Sequence, residues 1–310
     1  MKFSVLQKTD MQISALGLGT NAVGGHNLYK NLNEETGKDF VRAALDNGIT
    51  FIDTADVYGK GRSEELVGEV LKEYDRSRFI IATKGGSDWR NGTKNNAPAY
   101  LRRALEESLE RLQLDYVDLY YIHWPDGETP ISEAVAELSQ LKKEGKIKAI
   151  GVSNVSLEQL KEANSTDEIS AVQLAYNMLN REIEQEILPY CVENKISVVA
   201  YGPLAFGILG GTYTEDFVLE DGDWRNSVPL FQKGNFEKNI RIVEQLKRVA
   251  DTKGTDVSNL ALAWLLEQPG VDAVIPGGKK PEQVLSNIAA SDIRLEAEVL
   301  NEIDQILKGQ

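Results

Sequence analysis

Polar and apolar positions along this chain fall into two alternating patterns. Short runs that are apolar on both faces, and β-branched or aromatic, occupy Ala15–Leu18, Thr50–Asp53, Phe79–Lys84 and Val117–His123. Similar runs follow at Ala149–Ser153, Ala171–Leu174, Ser197–Tyr201 and Asp272–Ile275. Runs of this length that do not alternate predict strands covered on both sides, as in a parallel sheet. Between them the apolar positions take helical spacing. Ile131, Ala134, Val135, Leu138 and Leu141 describe one buried stripe. Ser63 is placed to cap a helix carrying Leu66, Val67, Val70 and Leu71, and Asn33 to cap one ending before Gly48. Further helices are predicted over Pro98–Leu112, Leu157–Ala163, Ile183–Asn194, Phe236–Asp251, Val257–Glu267, Glu282–Ala290 and Glu296–Leu307.

About eight strand–helix units with no break in composition predict an α/β fold, and eight strands suit a closed (β/α)8 TIM barrel better than an open sheet. Lys2 to Ser14 reads as a β-hairpin turning at Lys8-Thr9-Asp10, expected over the barrel floor. With no linker or low-complexity tract in view, residues 1–310 read as one domain. One connection is unusual: from Gly202 to about Asn235 the chain is irregular, glycine-rich and interrupted by Pro203 and Pro229. Such loops serve as lids or binding loops. This one leaves the seventh strand, hence the face where barrels keep their active sites.

Composition narrows the function classes. A net charge of −14, spread along the chain, disfavours nucleic acid and anionic membranes as partners. Cys191 is the only cysteine and His26 and His123 the only histidines, so an intrachain disulfide is impossible and a zinc cluster or metal-dependent hydrolase is poorly served. The expectation is no metal. The N-terminal residues lack the apolar core of a signal peptide, and the longest apolar stretch, 196–211, is broken by Pro203 and four glycines. A cytoplasmic location follows as the expectation; the oligomeric state stays open.

The candidate chemistry sits at strand ends. The second, third and fourth strands end in Asp53, Lys84 and His123, and adjacent strands are about 4.8 Å apart, so the three polar groups must crowd together. Tyr58 lies in the loop leaving the second strand. A phenol with a pKa of about 10 donates a proton sluggishly at neutral pH unless a cation stabilises its anion. Lys84, held by Asp53, supplies that cation, and His123 can donate to a carbonyl oxygen. Tyr58 and His123 would then stabilise the oxyanion that develops as hydride reaches the carbonyl carbon. Singly, each residue has an ordinary structural explanation. Jointly they point to carbonyl chemistry.

The strings FIDTADVYG (51–59), ATKGG (82–86), DLYYIHWPD (118–126), GKIKAIGVSN (145–154), AYGPLAFGILGG (200–211) and IPGGKKPEQVLSN (275–287) closely resemble signatures of the aldo-keto reductases, in family order. TNAVGGHNLYKNLNEETGK (20–38) looks especially like the inositol-operon reductases of Gram-positive bacteria, and the whole pattern is more distantly similar to the β-subunits of voltage-gated potassium channels. The resemblance implies reversible, NADPH-dependent reduction of aldehydes and ketones by a tetrad of Asp53, Tyr58, Lys84 and His123, with Tyr58 as general acid. It implies that Ser153, Asn154 and Gln173 hold the nicotinamide carboxamide and that Tyr201 stacks on the ring. Gly202, Pro203, Leu204, Gly207, Leu209, Arg225, Pro276, Gly277, Gly278, Gln283 and Asn287 complete the implied cofactor contacts. The chain departs from the family at Gly202, where many relatives carry serine, and at Ser286, where they often carry an acidic residue facing adenine.

Two further readings concern the cofactor. Lys279 and Lys280 precede Pro281, which suits a first helical position. Two cations at a helix N-terminus are opposed by the dipole unless an anion joins them, and the 2′-phosphate of NADP/NADPH is such an anion. Gly17 to Ala22 also matches a dinucleotide G-x-G-x-x-A pattern, but Val23-Gly24-Gly25 falls where that pattern needs a helix. Gly19 and Thr20 are therefore read as the barrel mouth beneath the nicotinamide. Tyr29, Trp89, Trp124 and Trp224 are candidate walls for a small-molecule carbonyl substrate. The competing reading is an NADPH-binding regulatory or redox-sensing subunit with slow turnover.

Overall fold

The computed structural model describes residues 1–308. Strands β1 (Phe3–Val5) and β2 (Gln12–Ser14) form an antiparallel hairpin. The barrel strands follow as β3 (Leu18–Gly19), β4 (Phe51–Asp53) and β5 (Ile80–Gly85). A second small hairpin, β6 (Ser87–Asp88) and β7 (Thr93–Lys94), intervenes before β8 (Val117–Ile122). The barrel continues with β9 (Ile147–Ser153), β10 (Ile169–Ala175), β11 (Ser197–Tyr201) and β12 (Val271–Ile275). Neighbours pair in parallel in the order β3-β4-β5-β8-β9-β10-β11-β12. Parallel bridges Leu16–Val274 and Gly19–Gly277 bring the last strand to the first. The result is a (β/α)8 barrel with an N-terminal hairpin.

Two apolar layers build it. Inside, Phe51, Ala82, Leu119, Tyr121, Ala149, Ala171, Val199 and Ala273 pack together with Leu6, Met11 and Ile13 of the hairpin, so the hairpin does plug the floor. Outside, the opposite strand faces meet helices α1 (Glu34–Asp46), α2 (Arg62–Leu71), α3 (Pro98–Leu112), α4 (Ile131–Lys143) and α5 (Leu157–Ala163). The ring continues through α6 (Ile187–Glu193), α7 (Asn235–Thr252), α8 (Val257–Leu266), α9 (Pro281–Ala289) and α10 (Ala297–Lys308). Strands buried on both faces lose the alternation of a half-exposed sheet, which is why they read as continuous apolar runs. Asn33 caps α1, its Oδ1 accepting from Thr36 N at 2.8 Å. Cys191 is buried on α6, and burial pushes its thiol up to about 12. Among the described residues no helix is long and apolar enough to cross a membrane.

Two expectations are corrected, and one feature is added. Ser63 does not cap a helix: α2 begins at Arg62 behind Gly61, at φ 93°, and the buried Ser63 Oγ lies 3.2 Å from the hydroxyls of both Thr20 and Thr54. The predicted helix 183–194 is broken into a 3₁₀ turn at Glu182–Glu184 and a short α6. Pro189 explains the break, because proline has no N–H and is tolerated only in a helix's first turn. The β6–β7 hairpin was not anticipated. Its signal was the Asn91-Gly92 pair, with Gly92 at φ 69°.

The barrel interior also demands one specific absence of side chain. A Cβ on Gly151 of β9 would fall on the ring of Tyr121 in the neighbouring β8. Gly151→Ala is therefore expected to cost about 1–3 kcal/mol by overpacking. Urea unfolding measures this, and an unchanged midpoint would mean the Tyr121 ring has room to move.

Candidate active site

Three adjacent barrel strands deliver the polar cluster. Asp53 ends β4, Lys84 lies near the end of β5, and His123 follows β8, its backbone N–H donating to Gly85 O at 2.8 Å. The Lys84 Nζ donates to Asp53 Oδ1 at 2.5 Å and to Thr54 O at 2.7 Å. From β10, Gln173 Nε2 donates to Asp53 Oδ2 at 2.8 Å. Beyond β4 the chain enters the 3₁₀ turn Tyr58–Gly61, which carries three consecutive positive φ angles at Gly59, Lys60 and Gly61. That turn places the Tyr58 ring over Lys84, 5.1 Å from Nζ to ring centroid, and edge-on to His123 at 6.0 Å.

Burial and charge set the protonation states. Burial acts against the Lys84 ammonium, but Asp53 and Tyr58 outweigh it and lift its pKa, so it stays cationic. Asp53 is raised by burial, with Lys84 and Gln173 opposing. Close contact with the ammonium nevertheless keeps the two as an ion pair. Burial raises the Tyr58 phenol and Lys84 pulls it back, leaving it above its ordinary value. Lys84 thus moderates the phenol without making it an acid of neutral strength. Tyr58 holds its proton. His123 is pushed well below its ordinary value, first by burial and then by Lys84, so it is neutral. Its Nδ1 has no hydrogen-bond partner among the described residues.

A second polar group faces the cluster across the mouth. Ser153 Oγ donates to Gln173 O at 2.9 Å, and Asn154 Nδ2 donates to His123 O and Ser153 Oγ, each at 3.0 Å. Tyr201 OH donates to Asn154 Oδ1 at 2.7 Å. Asn154 is at φ 56°, the left-handed region that a polar side chain of its kind tolerates.

These residues line a cavity of about 640 Å³. Its wall also includes Gly19, Thr20, Gly202, Pro203, Leu204, Gly207, Arg225, Pro276, Gly277, Gly278, Lys279, Gln283 and Asn287, all anticipated from sequence. Lys84 stands just behind the wall. Leu209 and Lys280 do not line it: Leu209 is buried in the outer core, and the exposed Lys280 is the N-cap of α9. The backbone N–H groups of Lys279 and Lys280 both donate to Gln283 Oε1, at 2.7 and 3.1 Å, so they are not free for an anion. Tyr29, Trp124 and Trp224 reach the wall and Trp89 does not. Sequence reasoning missed Asn21, Phe206, Tyr213 and Ser258, which also line the cavity and carry no pattern of their own.

The long connection covers this cavity. Three 3₁₀ turns punctuate it, at Ala205–Gly210, Trp224–Ser227 and Pro229–Phe231. Tyr213 and Phe217 stack at 4.0 Å, Phe231 stacks on Phe236 at 5.7 Å, and Trp224 meets Phe206 edge-on at 5.2 Å. Arg225 ties these parts together through Asp223 Oδ2 at 2.7 Å, Tyr213 OH at 2.9 Å and Phe206 O at 3.3 Å.

A barrel with a Lys–Asp pair behind a tyrosine and a neutral histidine, under a glycine-rich cover, defines an oxidoreductase that acts on carbonyl and CH–OH groups. The chain belongs to the Aldo/keto reductase family, whose model matches residues 15–308. It is 41% identical to the aldo-keto reductase YhdN of Bacillus subtilis over all of this chain and 94% of that one. It is 38% identical to the NADH-specific methylglyoxal reductase of Escherichia coli, over 99% of this chain and all of the relative. Among solved structures it is similar to the glycerol dehydrogenase AKR11B4 of Gluconobacter oxydans, with a TM-score of 0.90 and 37% identity over 98% of this chain and 94% of that one.

The depressed His123 gives a pH dependence. The unfolded chain protonates this histidine near its ordinary pKa of about 6.5, whereas the fold protonates it only at lower pH. Its contribution to stability is therefore full above that value and falls as pH drops towards the folded pKa, by up to about 1.4 kcal/mol per pH unit. His123→Gln is expected to lose less stability than the parent between neutral and mildly acidic pH. Equal losses for both proteins in urea unfolding would mean that His123 titrates normally in the fold.

Proposed function

We propose that this chain reduces small aldehydes and ketones to alcohols, reversibly, with NADPH as hydride donor and Tyr58 as general acid. The observation that carries the reading is the Lys84 ammonium, which is shared between Asp53 and Thr54 O directly behind the Tyr58 ring. The wall fits an extended dinucleotide: it runs from Tyr58 and His123 past Tyr201 to Lys279, just before α9, and to Gln283 and Asn287 within that helix. A Cβ at Gly277 would approach Asn21 Oδ1 to 3.1 Å, and one at Gly278 would meet the Phe40 ring at 2.7 Å, so side chains here would crowd Asn21 and Phe40. The volume suits a cofactor site.

On this reading Ser153, Asn154 and Gln173 orient the carboxamide, and Tyr201 supplies a flat face for the nicotinamide ring. Bound there, the cofactor supplies hydride to the carbonyl carbon. Neutral His123 donates a hydrogen bond to the carbonyl oxygen and fixes its position beside the phenol. Tyr58 gives that oxygen its proton, and Lys84 stabilises the phenolate left behind. The cover formed by Trp224, Arg225 and Phe206 keeps water from the reacting atoms, which strengthens each of these interactions. Lys279 is the residue assigned to the 2′-phosphate; its Nζ lies 4.7 Å over the Tyr29 ring and can swing to an anion at the helix start. Lys280, off the wall, is at most a longer-range partner.

Tyr58→Phe removes one oxygen and keeps the ring. Single-turnover reduction of an aromatic aldehyde is expected to slow by about 10²–10⁴-fold, with NADPH affinity close to that of the parent by fluorescence titration. Reduction at the parent rate would show that another group donates the proton.

Cofactor preference is tested separately, since one relative is named NADH-specific. Losing a charge-assisted bond worth about 1.5–3 kcal/mol, Lys279→Ala should raise the NADPH dissociation constant at least about tenfold and leave NADH binding nearly unchanged. Lys280→Ala should change both little. Equal losses for the two cofactors would remove Lys279 from the 2′-phosphate.

A further inference from the structure

The segment 21–33 follows β3 and carries the GGHNLYKN string, which the reading above leaves without a role beyond Tyr29. It packs against the turn that bears Tyr58. The Asn27 side chain reaches across and bonds that turn on both sides of the tyrosine. Its Nδ2 donates to Val57 O at 3.1 Å, and its Oδ1 accepts from Gly59 N at 2.7 Å. One planar carboxamide thus grips the peptide groups immediately before and after residue 58.

The turn needs such a grip. Gly59, Lys60 and Gly61 all have positive φ, at 61°, 56° and 93°, and Lys60 pays the steric cost that glycine escapes. Gly59 also lies so close to Gly24 that a Cβ there would coincide with the Gly24 carbonyl, and the two backbones interlock. The segment itself is anchored at its far end. Glu34 accepts from Arg62 Nε at 3.0 Å and Arg62 Nη2 at 2.7 Å, and lies 3.1 Å from His26 Nε2. Arg62 begins α2, directly after the Tyr58 turn. Both the turn and the arm that holds it are therefore tied to one helix end.

We propose that Asn27 is a positioning residue for Tyr58, its carboxamide clamping the Val57 and Gly59 peptides so that the phenol stays aimed at the substrate oxygen. The inference rests on the reading of Tyr58 as proton donor. Proton transfer depends steeply on geometry, and a misplacement of about 1 Å can cost a hundredfold. Asn27 does not line the cavity, so its loss should act on turnover rather than on cofactor binding.

The experiment compares the parent, Asn27→Ala, Asn27→Asp, Tyr58→Phe and the double variant Asn27→Ala/Tyr58→Phe in reduction of an aromatic aldehyde. Asn27→Ala should lower kcat by about 10- to 100-fold while the NADPH dissociation constant and the thermal midpoint stay at parent values. Asn27→Asp keeps the acceptor for Gly59 N and loses the donor to Val57 O, and should fall between the two. It also decides the matter should the alanine variant not fold. In the Tyr58→Phe background Asn27→Ala should have no further effect, because there is no phenol to aim. An equal loss in both backgrounds, or no loss in the parent, overturns the proposal while leaving Tyr58 as the acid. Parent-like turnover by Tyr58→Phe would instead overturn the assignment of the acid, and this proposal with it.

Discussion

The ion pair between Lys84 and Asp53 is the interaction on which the site depends. Both groups are removed from water, and burying two charges costs several kcal/mol each unless every remaining bond is made. Here the terms are met: Lys84 also bonds Thr54 O, and Asp53 Oδ2 accepts from Gln173. The pair therefore joins β4 to β5, and through Gln173 reaches across the barrel to β10. A register slip of one residue would turn each of these side chains to the helical layer, where no partner waits. Barrel closure and site assembly are one constraint, and the outer strand layers are packed around it.

Much of this was legible in the sequence. Strands buried on both faces appear as apolar runs, and any polar residue at the end of such a run is conspicuous. Asp53, Lys84 and His123 stood out for that reason, and barrel geometry alone brought them together. Asn33 and Pro98 marked helix starts because caps and first-turn prolines act locally. What could not be read acts across space. Ser63 has the chemistry of a cap, and only the approach of Thr20 and Thr54 gives its hydroxyl another use. Pro189 is a local signal that splits the predicted helix 183–194, but the apolar spacing on either side of it masks the break. Leu209 and Lys280 belong to the right strings, yet their side chains leave the cavity.

The cover over the cavity was the least legible part. Its length and glycine content announced a functional loop. Its order comes from Tyr213, Phe217, Phe231 and Phe236, whose spacing follows no helical or strand period, and from Arg225 reaching three partners. Aromatic contacts of this kind are specified by shape, and sequence periodicity carries no trace of them. The sign of the Tyr58 shift was similarly hidden, because burial and the neighbouring cation oppose each other and only the geometry says which prevails.

The same burial would protect two nucleophiles of this chain from the aldehydes proposed as its substrates. Free amines attack aldehydes to give imines, and thiolates add to them, so a pocket that gathers aldehydes puts nearby nucleophiles at risk of modification. Lys84 lies directly behind the Tyr58 ring, and with its pKa raised and Asp53 in contact it offers no lone pair for condensation. Cys191, the single thiol, is shut inside the helical layer and stays protonated. Protection of these two groups thus comes from the packing that also tunes the site.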